Sequence, residues 1–170
     1  MRALRIGILT VSDRSASGER PDASGPALQT EIEKYGWQVA ALEIIPDEFH
    51  QLREKLVKWC QSGEIDIILT TGGTGFSPRD ITPEATQAVI ERPAPGLVET
   101  MRAASLKFTA HAMLSRANAG IRERTLIVNL PGSPKAAVEN LEVIAPVLPH
   151  AVQLLSDHPD SESGHSLIGE

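Results

Sequence analysis

Two aspartates stand where an α/β protein does chemistry. Asp47 lies in Ile45-Pro46-Asp47-Glu48 and Asp80 in Ser77-Pro78-Arg79-Asp80, each between an apolar run and a helical pattern. If both runs are parallel strands, both carboxylates emerge on one edge of the sheet. Such a pair suits a magnesium ion that also holds a polyphosphate, because magnesium takes one or two protein carboxylates and completes its shell with phosphate oxygens and water. The structural alternative for each is an N-cap, where a carboxylate satisfies the free N–H groups of a first helical turn. Asp47 in particular is expected to cap the helix that follows it.

Between the runs lies Thr70-Thr71-Gly72-Gly73-Thr74-Gly75. Glycines let a backbone turn with positive φ and approach a ligand closely, and consecutive N–H groups in such a turn form an anion nest. The hydroxyls of Thr71 and Thr74 add donors. No Lys follows the last glycine and the spacing is not GxGxxG, so this is neither of the common phosphate-loop fingerprints. A tight strand-to-helix turn explains the same residues without a ligand. A second such unit is Asn129-Leu130-Pro131-Gly132-Ser133-Pro134-Lys135, where a helix start and the Lys135 ammonium offer a place for another anion. Ser12-Asp13 and Ser115-Arg116 supply further hydroxyls and charges; neither serine sits in a nucleophile elbow. The five histidines show no metal-ligand spacing.

The elements that must position these residues follow from periodicity. Apolar runs at 4–11, 37–45, 65–69 and 125–130 read as strands, the one at 65–69 as a strand covered on both faces. Between them fall helical stripes: Leu28, Ile32 and Tyr35; Phe49, Leu52, Leu56, Val57 and Cys60; Leu97, Met101 and Ala104; Val138, Leu141, Ile144, Ala145 and Leu148. Thr82 is the expected N-cap of another helix, with Pro83 its first residue. Pro93-Ala94-Pro95-Gly96 breaks the chain, and 112–120 fits either a strand or irregular structure. This alternation predicts one α/β domain with a mostly parallel sheet over 1–156, followed by a flexible polar tail at 157–170.

Composition narrows the function. A net charge of −6 without a basic run argues against nucleic-acid backbone binding. Cys60 is the only cysteine, which excludes an intrachain disulfide and a cysteine zinc cluster. No apolar stretch approaches a membrane span, and the N-terminus runs straight into a strand without a leader pattern, so a cytoplasmic location is expected. The residues alone argue for a phosphate-handling enzyme using magnesium.

Taken together, TVSD at 10–13, IPDE at 45–48, TTGGTGFSPRDITPEAT at 70–86, PG at 95–96 before Met101, LSR-x-x-x-G-I at 114–121 and NLPGSPKA at 129–136 resemble one family. The chain is similar to the molybdopterin adenylyltransferases of the Mog and MoaB type and to the G domains of plant and animal molybdenum-cofactor proteins, gephyrin included. The resemblance implies a three-layer α/β/α sandwich, a homotrimer, and transfer of AMP from ATP to molybdopterin with magnesium. The adenylylated product would pass to a molybdate insertase. It matches Asp47 and Asp80 to the family's two essential aspartates, as catalytic and magnesium-holding groups. It matches Gly72, Gly73, Thr74 and Gly75 to the nucleotide loop. Ser12, Ser105, Ser115, Asn129, Pro131, Gly132 and Lys135 match positions that hold pterin or nucleotide, with Ser115 and Arg116 placed for the pterin phosphate. Two alternatives stay open at this point: a MoaB-like protein that binds the pterin without catalysis, and a nucleotide pyrophosphatase on a related domain.

Overall fold

The computed structural model describes residues 2–156; the expected tail at 157–170, with His158 and His165, lies outside the described residues. The chain runs β1 (Arg5–Val11), α1 (Asp13–Ala16), α2 (Ser24–Lys34), β2 (Gln38–Ile45), α3 (Phe49–Gln61), β3 (Ile67–Thr71), α4 (Thr82–Gln87), β4 (Arg92–Pro93), α5 (Pro95–Ser105), β5 (Ala119–Arg122), β6 (Thr125–Leu130), α6 (Pro134–Ile144) and α7 (Leu148–Leu155). Short 3₁₀ turns at Ala110–Leu114 and Ala145–Val147 join the later elements. The six strands form one sheet in the order β2-β1-β3-β6-β5-β4. β2, β1, β3 and β6 are mutually parallel, and β5 and β4 add an antiparallel edge.

Alternation along the central strands explains the layers. Ile6, Ile8, Ile67, Leu69, Leu126, Val128 and Leu130 face a core shared with α2, α5, α6 and α7. Leu9, Val11, Ile68 and Ile127 face the opposite core, built with Leu52, Leu56, Trp59 and Cys60 of α3 and Ala85 of α4. Strands buried on both faces must read as near-continuous apolar runs, which is why the sequence showed no polar alternation in them. The fold is the expected three-layer α/β/α sandwich with a mostly parallel sheet.

Several local expectations change. Tyr35 is 40% exposed rather than buried; it ends α2 and stacks on Trp37 with ring centroids 4.7 Å apart. Asp47 is not an N-cap: α3 starts two residues later, after Glu48, and the Asp47 carboxylate is drawn to the backbone of Asp13. Thr82 is already helical, and its hydroxyl donates to the Gly72 carbonyl (2.9 Å) instead of capping α4. The ambiguous 112–120 region divides into the end of a 3₁₀ turn and the start of β5, which pairs back on β6. The proline-rich break at 93–96 still contributes β4, because Arg92 and Pro93 register with Ile121 and Gly120 at the sheet edge. The last helix splits at Ala145–Val147, around Pro146.

Candidate active site

β1, β2 and β3 end side by side, and the loops leaving them meet the turn after β6 around a cavity of about 580 Å³. Ser12, Asp13, Asp47, Gly72, Gly73, Asp80 and Gly132 line it. The register of parallel strands thus brings together residues from four distant segments, at the carboxyl edge where open α/β sheets bind ligands.

Asp13 and Asp47 hold each other through reciprocal bonds. The Asp13 N–H donates to Asp47 Oδ2 (2.8 Å), and the Asp47 N–H donates to Asp13 Oδ1 (3.0 Å). Arg79 then grips Asp13 with Nε and Nη2 (2.9 and 3.0 Å) and also reaches Glu48 (2.9 Å). Asp80 closes its own turn: its N–H donates to the Ser77 carbonyl (2.9 Å), and its Oδ2 accepts from the Ser77 N–H (3.1 Å).

The two members of the Asp13–Asp47 pair titrate in opposite directions. Arg79 holds the Asp13 carboxyl below its usual range. Burial pushes the Asp47 carboxyl up against the bond it accepts from the Asp13 N–H, and the negative charges of Asp13 and Asp80 add to the rise, with weaker relief from Arg79. Asp47 is therefore an under-compensated negative charge. Among the described residues, no group of three or more His, Cys, Asp or Glu is arranged to hold a metal ion. Two carboxylates that leave most of a coordination shell to phosphate and water fit magnesium arriving with a nucleotide, not a preformed resident site.

The glycine loop is a partition. Gly72 has φ +100° and any Cβ there would collide with the Val11 carbonyl oxygen; Gly73 has φ +65° and a Cβ would lie 3.0 Å from Asp47 Oδ1. Only glycine lets the loop pass this close to β1 and Asp47. The anion nest is smaller than expected, because the Gly72 N–H is spent on the Leu130 carbonyl (3.2 Å). The Thr71 hydroxyl is likewise spent on the Pro131 carbonyl (2.7 Å), tying the two glycine turns together.

Thr74 and Gly75 line a second cavity, of about 280 Å³, on the far side of the loop. Pro131, Asn129, Ser105 and Ser115 border it, together with Met101, Phe108 and Leu114. Ser105 Oγ accepts from Asn140 (3.2 Å), and Ser115 Oγ accepts from the Ala117 N–H (3.3 Å). Its wall is more apolar than that of the first cavity, which suits a ring system with a polar end.

Three residues from the sequence reading take other places. Asn129 is fully buried; its Nδ2 donates to Thr70 and Thr86 (2.9 Å each), and its Oδ1 accepts from the Asn118 N–H (3.0 Å). It frames the cavity wall with its amide already committed. Lys135 lines neither cavity: its side chain is 86% exposed and faces Glu139 at 3.8 Å. Ala137 and Leu141 turn α6 inward, so Lys135 falls on the solvent side. Arg116 spends its guanidinium on the Gly75 and Asp80 carbonyls (2.7 Å each) and on Glu84.

Sequence reasoning gave Asp13 and Arg79 no role, and it did not single out Asp22 and Arg102. Asp22 lines the first cavity and accepts from Thr10 (2.8 Å) while gathering the first turn of α2. Arg102 lines the second and donates to the Ser115 carbonyl (3.2 Å). Arg79 had a signal, its place beside Asp80; Arg102, one cation on a helix face, had none.

Residues 7–150 match the family model described as a probable molybdopterin binding domain. The chain belongs to this family. It is 43% identical over 157 residues to a molybdopterin adenylyltransferase of Helicobacter pylori, covering 91% of this chain and 89% of the relative. Gephyrin of Dictyostelium discoideum is 42% identical over 166 residues, spanning 92% of this chain and 23% of gephyrin. Among solved structures, the molybdopterin biosynthesis enzyme MoaB of Thermus thermophilus superimposes with a TM-score of 0.86 at 49% identity, covering 92% of this chain and 98% of that one. The matched span of this family member runs from within β1 into α7 and so takes in the residues that line both cavities. No described helix is long and apolar enough to cross a membrane.

Proposed function

We propose that this protein is a molybdopterin adenylyltransferase acting in molybdenum cofactor biosynthesis. The observation that carries the reading is the pair of cavities sharing one glycine loop as their wall, with both aspartates on the polar side. ATP occupies the cavity of Asp47 and Asp80; the pterin occupies that of Ser105 and Ser115. Close similarity to adenylyltransferases over most of the chain supports this assignment.

The reaction follows from that placement. An oxygen of the terminal molybdopterin phosphate attacks the α-phosphorus of ATP. The bond from that phosphorus to the bridging oxygen breaks, and pyrophosphate leaves with its electron pair. No covalent enzyme intermediate is needed, so the protein contributes positioning and charge stabilisation. Asp47 and Asp80 would hold Mg²⁺, which supplies charge neutralisation along the phosphates when bound. The Gly73–Gly75 backbone brings the phosphates near the partition, while Ser12 and Gly132 line the same cavity. Ser115 and Ser105 orient the pterin and its phosphate from the other side.

The same reading includes a homotrimer and hand-over of product to a molybdate insertase. Phe108 and Met113 beside the second cavity are 83% and 65% exposed, an apolar surface of the kind that self-association covers.

The test is pyrophosphate release from ATP by the purified protein, with magnesium and molybdopterin each omitted in turn. Release that needs both is expected. Pterin binding without release would make the protein a binding module, and ATP hydrolysis without pterin would make it a pyrophosphatase.

A further inference from the structure

Arg116 joins the two cavities physically. It follows Ser115, which lines the second cavity, and its own N–H donates to the Thr74 carbonyl (2.9 Å). Its Nε donates to the Gly75 carbonyl and its Nη2 to the Asp80 carbonyl, both at 2.7 Å, and Nη1 pairs with Glu84 in the first turn of α4. One residue thus fastens both stems of the loop that runs from Thr74 to Asp80. A planar guanidinium fork fixes direction as well as distance, and bonds from an ionised donor are among the stronger ones a protein makes. On its other side, the Ser115 carbonyl is held by Arg102 of α5 (3.2 Å), which also lines the second cavity. A continuous set of contacts therefore runs from the wall of the second cavity to the backbone of Asp80 in the first.

We infer that Arg116 is a positioning residue that couples occupancy of the second cavity to the placement of Asp80. A ligand that settles against Ser115 and Arg102 steadies the 115–116 backbone. Arg116 passes that constraint to the Gly75 and Asp80 carbonyls, and Asp80 is then set for the nucleotide. In this arrangement the guanidinium contacts neither substrate, which distinguishes the role from a phosphate ligand. The inference rests on the adenylyltransferase reading, with the pterin in the second cavity.

The experiment compares wild type, Arg116→Lys and Glu84→Gln. Lysine keeps the charge but cannot hold two carbonyls in a fork. Glutamine at 84 removes one charged partner and leaves both carbonyl bonds. Affinity for an ATP analogue with a methylene bridge between its α- and β-phosphates is measured by calorimetry, with and without saturating molybdopterin. Wild type is expected to bind the analogue about 10-fold tighter when molybdopterin is present, the usual scale of coupling between sites. Arg116→Lys should reduce that factor to under about 2-fold while each ligand alone binds within about 3-fold of wild type, and Glu84→Gln should fall between. Turnover of Arg116→Lys should drop by about 30-fold, as for a misplaced catalytic group, and the KM for ATP at saturating molybdopterin should rise by about the 5-fold of coupling that is lost. Hydrogen exchange should accelerate at the Asp80 amide, whose bond to the Ser77 carbonyl lies inside the clamped loop, and at the Thr82 amide, whose bond to the Gly73 carbonyl closes the loop's base.

Undiminished coupling in Arg116→Lys overturns the inference, as does a parallel loss of both single-ligand affinities and of thermal stability. If Arg116→Lys does not fold, Glu84→Gln decides: reduced coupling supports the role, and unchanged coupling removes it. An active wild type without coupling removes only the role of Arg116. A wild type that binds both ligands but releases no pyrophosphate removes the adenylyltransferase reading instead.

Discussion

Asp66 and Asp47 sit at opposite edges of the same sheet, and their surroundings treat charge in opposite ways. At the amino edge, Asp66 receives Arg2 (2.7 Å), Arg5 (2.8 Å) and the Arg5 backbone N–H (2.9 Å). Burial opposes its charge, but these bonds outweigh burial and hold its carboxyl below the usual range. At the carboxyl edge, Asp47 faces Asp13 and Asp80, and Arg79 is turned to Asp13 and Glu48. Burial and like charges raise its carboxyl instead. Under the proposed function, the contrast separates a structural carboxylate from a functional one. Asp66 has its cations built in; under the proposed function Asp47 would meet one brought by a ligand.

The strongest way to break this contrast is to neutralise each aspartate and ask which property fails. Asp47→Asn and Asp80→Ala should each lower pyrophosphate release by at least about 100-fold, with molybdopterin affinity within a few-fold, because the lost charge acts in the transition state. Equal losses in turnover and pterin affinity would reduce Asp80 to a loop-closing group. Asp66→Asn should leave activity per folded molecule intact and cost about 2 kcal/mol at neutral pH by denaturant unfolding, since charged and backbone donors lose their shared acceptor.

A pH series sharpens the same contrast. Asp66 titrates lower when folded, so its contribution is present above about pH 4 and is lost as the pH falls through its folded value. The gap between wild type and Asp66→Asn should therefore close in acid. Asp47 titrates higher when folded, so its contribution is present below about pH 4 and is lost as the pH rises through its folded value. At neutral pH the ionised carboxylate opposes folding, and Asp47→Asn should stabilise the protein by up to about 1 kcal/mol while inactivating it. A destabilised Asp47→Asn would mean that the Asp13 bonds outweigh the charge. The smallest effect belongs to Lys135→Ala. An exposed pair of this kind contributes under about 1 kcal/mol, and turnover should stay within about 2-fold. A large activity loss would show that the lysine moves to a ligand that the structure does not place near it.

The sequence by itself determined a layered α/β domain, its four parallel strands with their main helices, and the sheet edge at which the candidate residues gather, but not α1 or the edge strand β4. Those are short-range matters: continuous apolar runs, helical stripes, and glycine turns between a strand and a helix. It also placed Asp47, Asp80, Ser12, Gly72, Gly73 and Gly132 at one edge, where the structure lets them line one cavity. Only the tertiary structure decided how those groups are held. The Asp13–Asp47 exchange spans 34 positions and the Arg79–Asp13 pair spans 66, and both exist because β2, β1 and β3 lie side by side. The same assembly made Asp47 a half-buried charge rather than a cap, committed Arg116 and Asn129 to the protein, and turned Lys135 to solvent. Periodicity records which face of an element is buried. It carries no information on which distant side chain meets which, because that depends on strand order and on the path of loops through space.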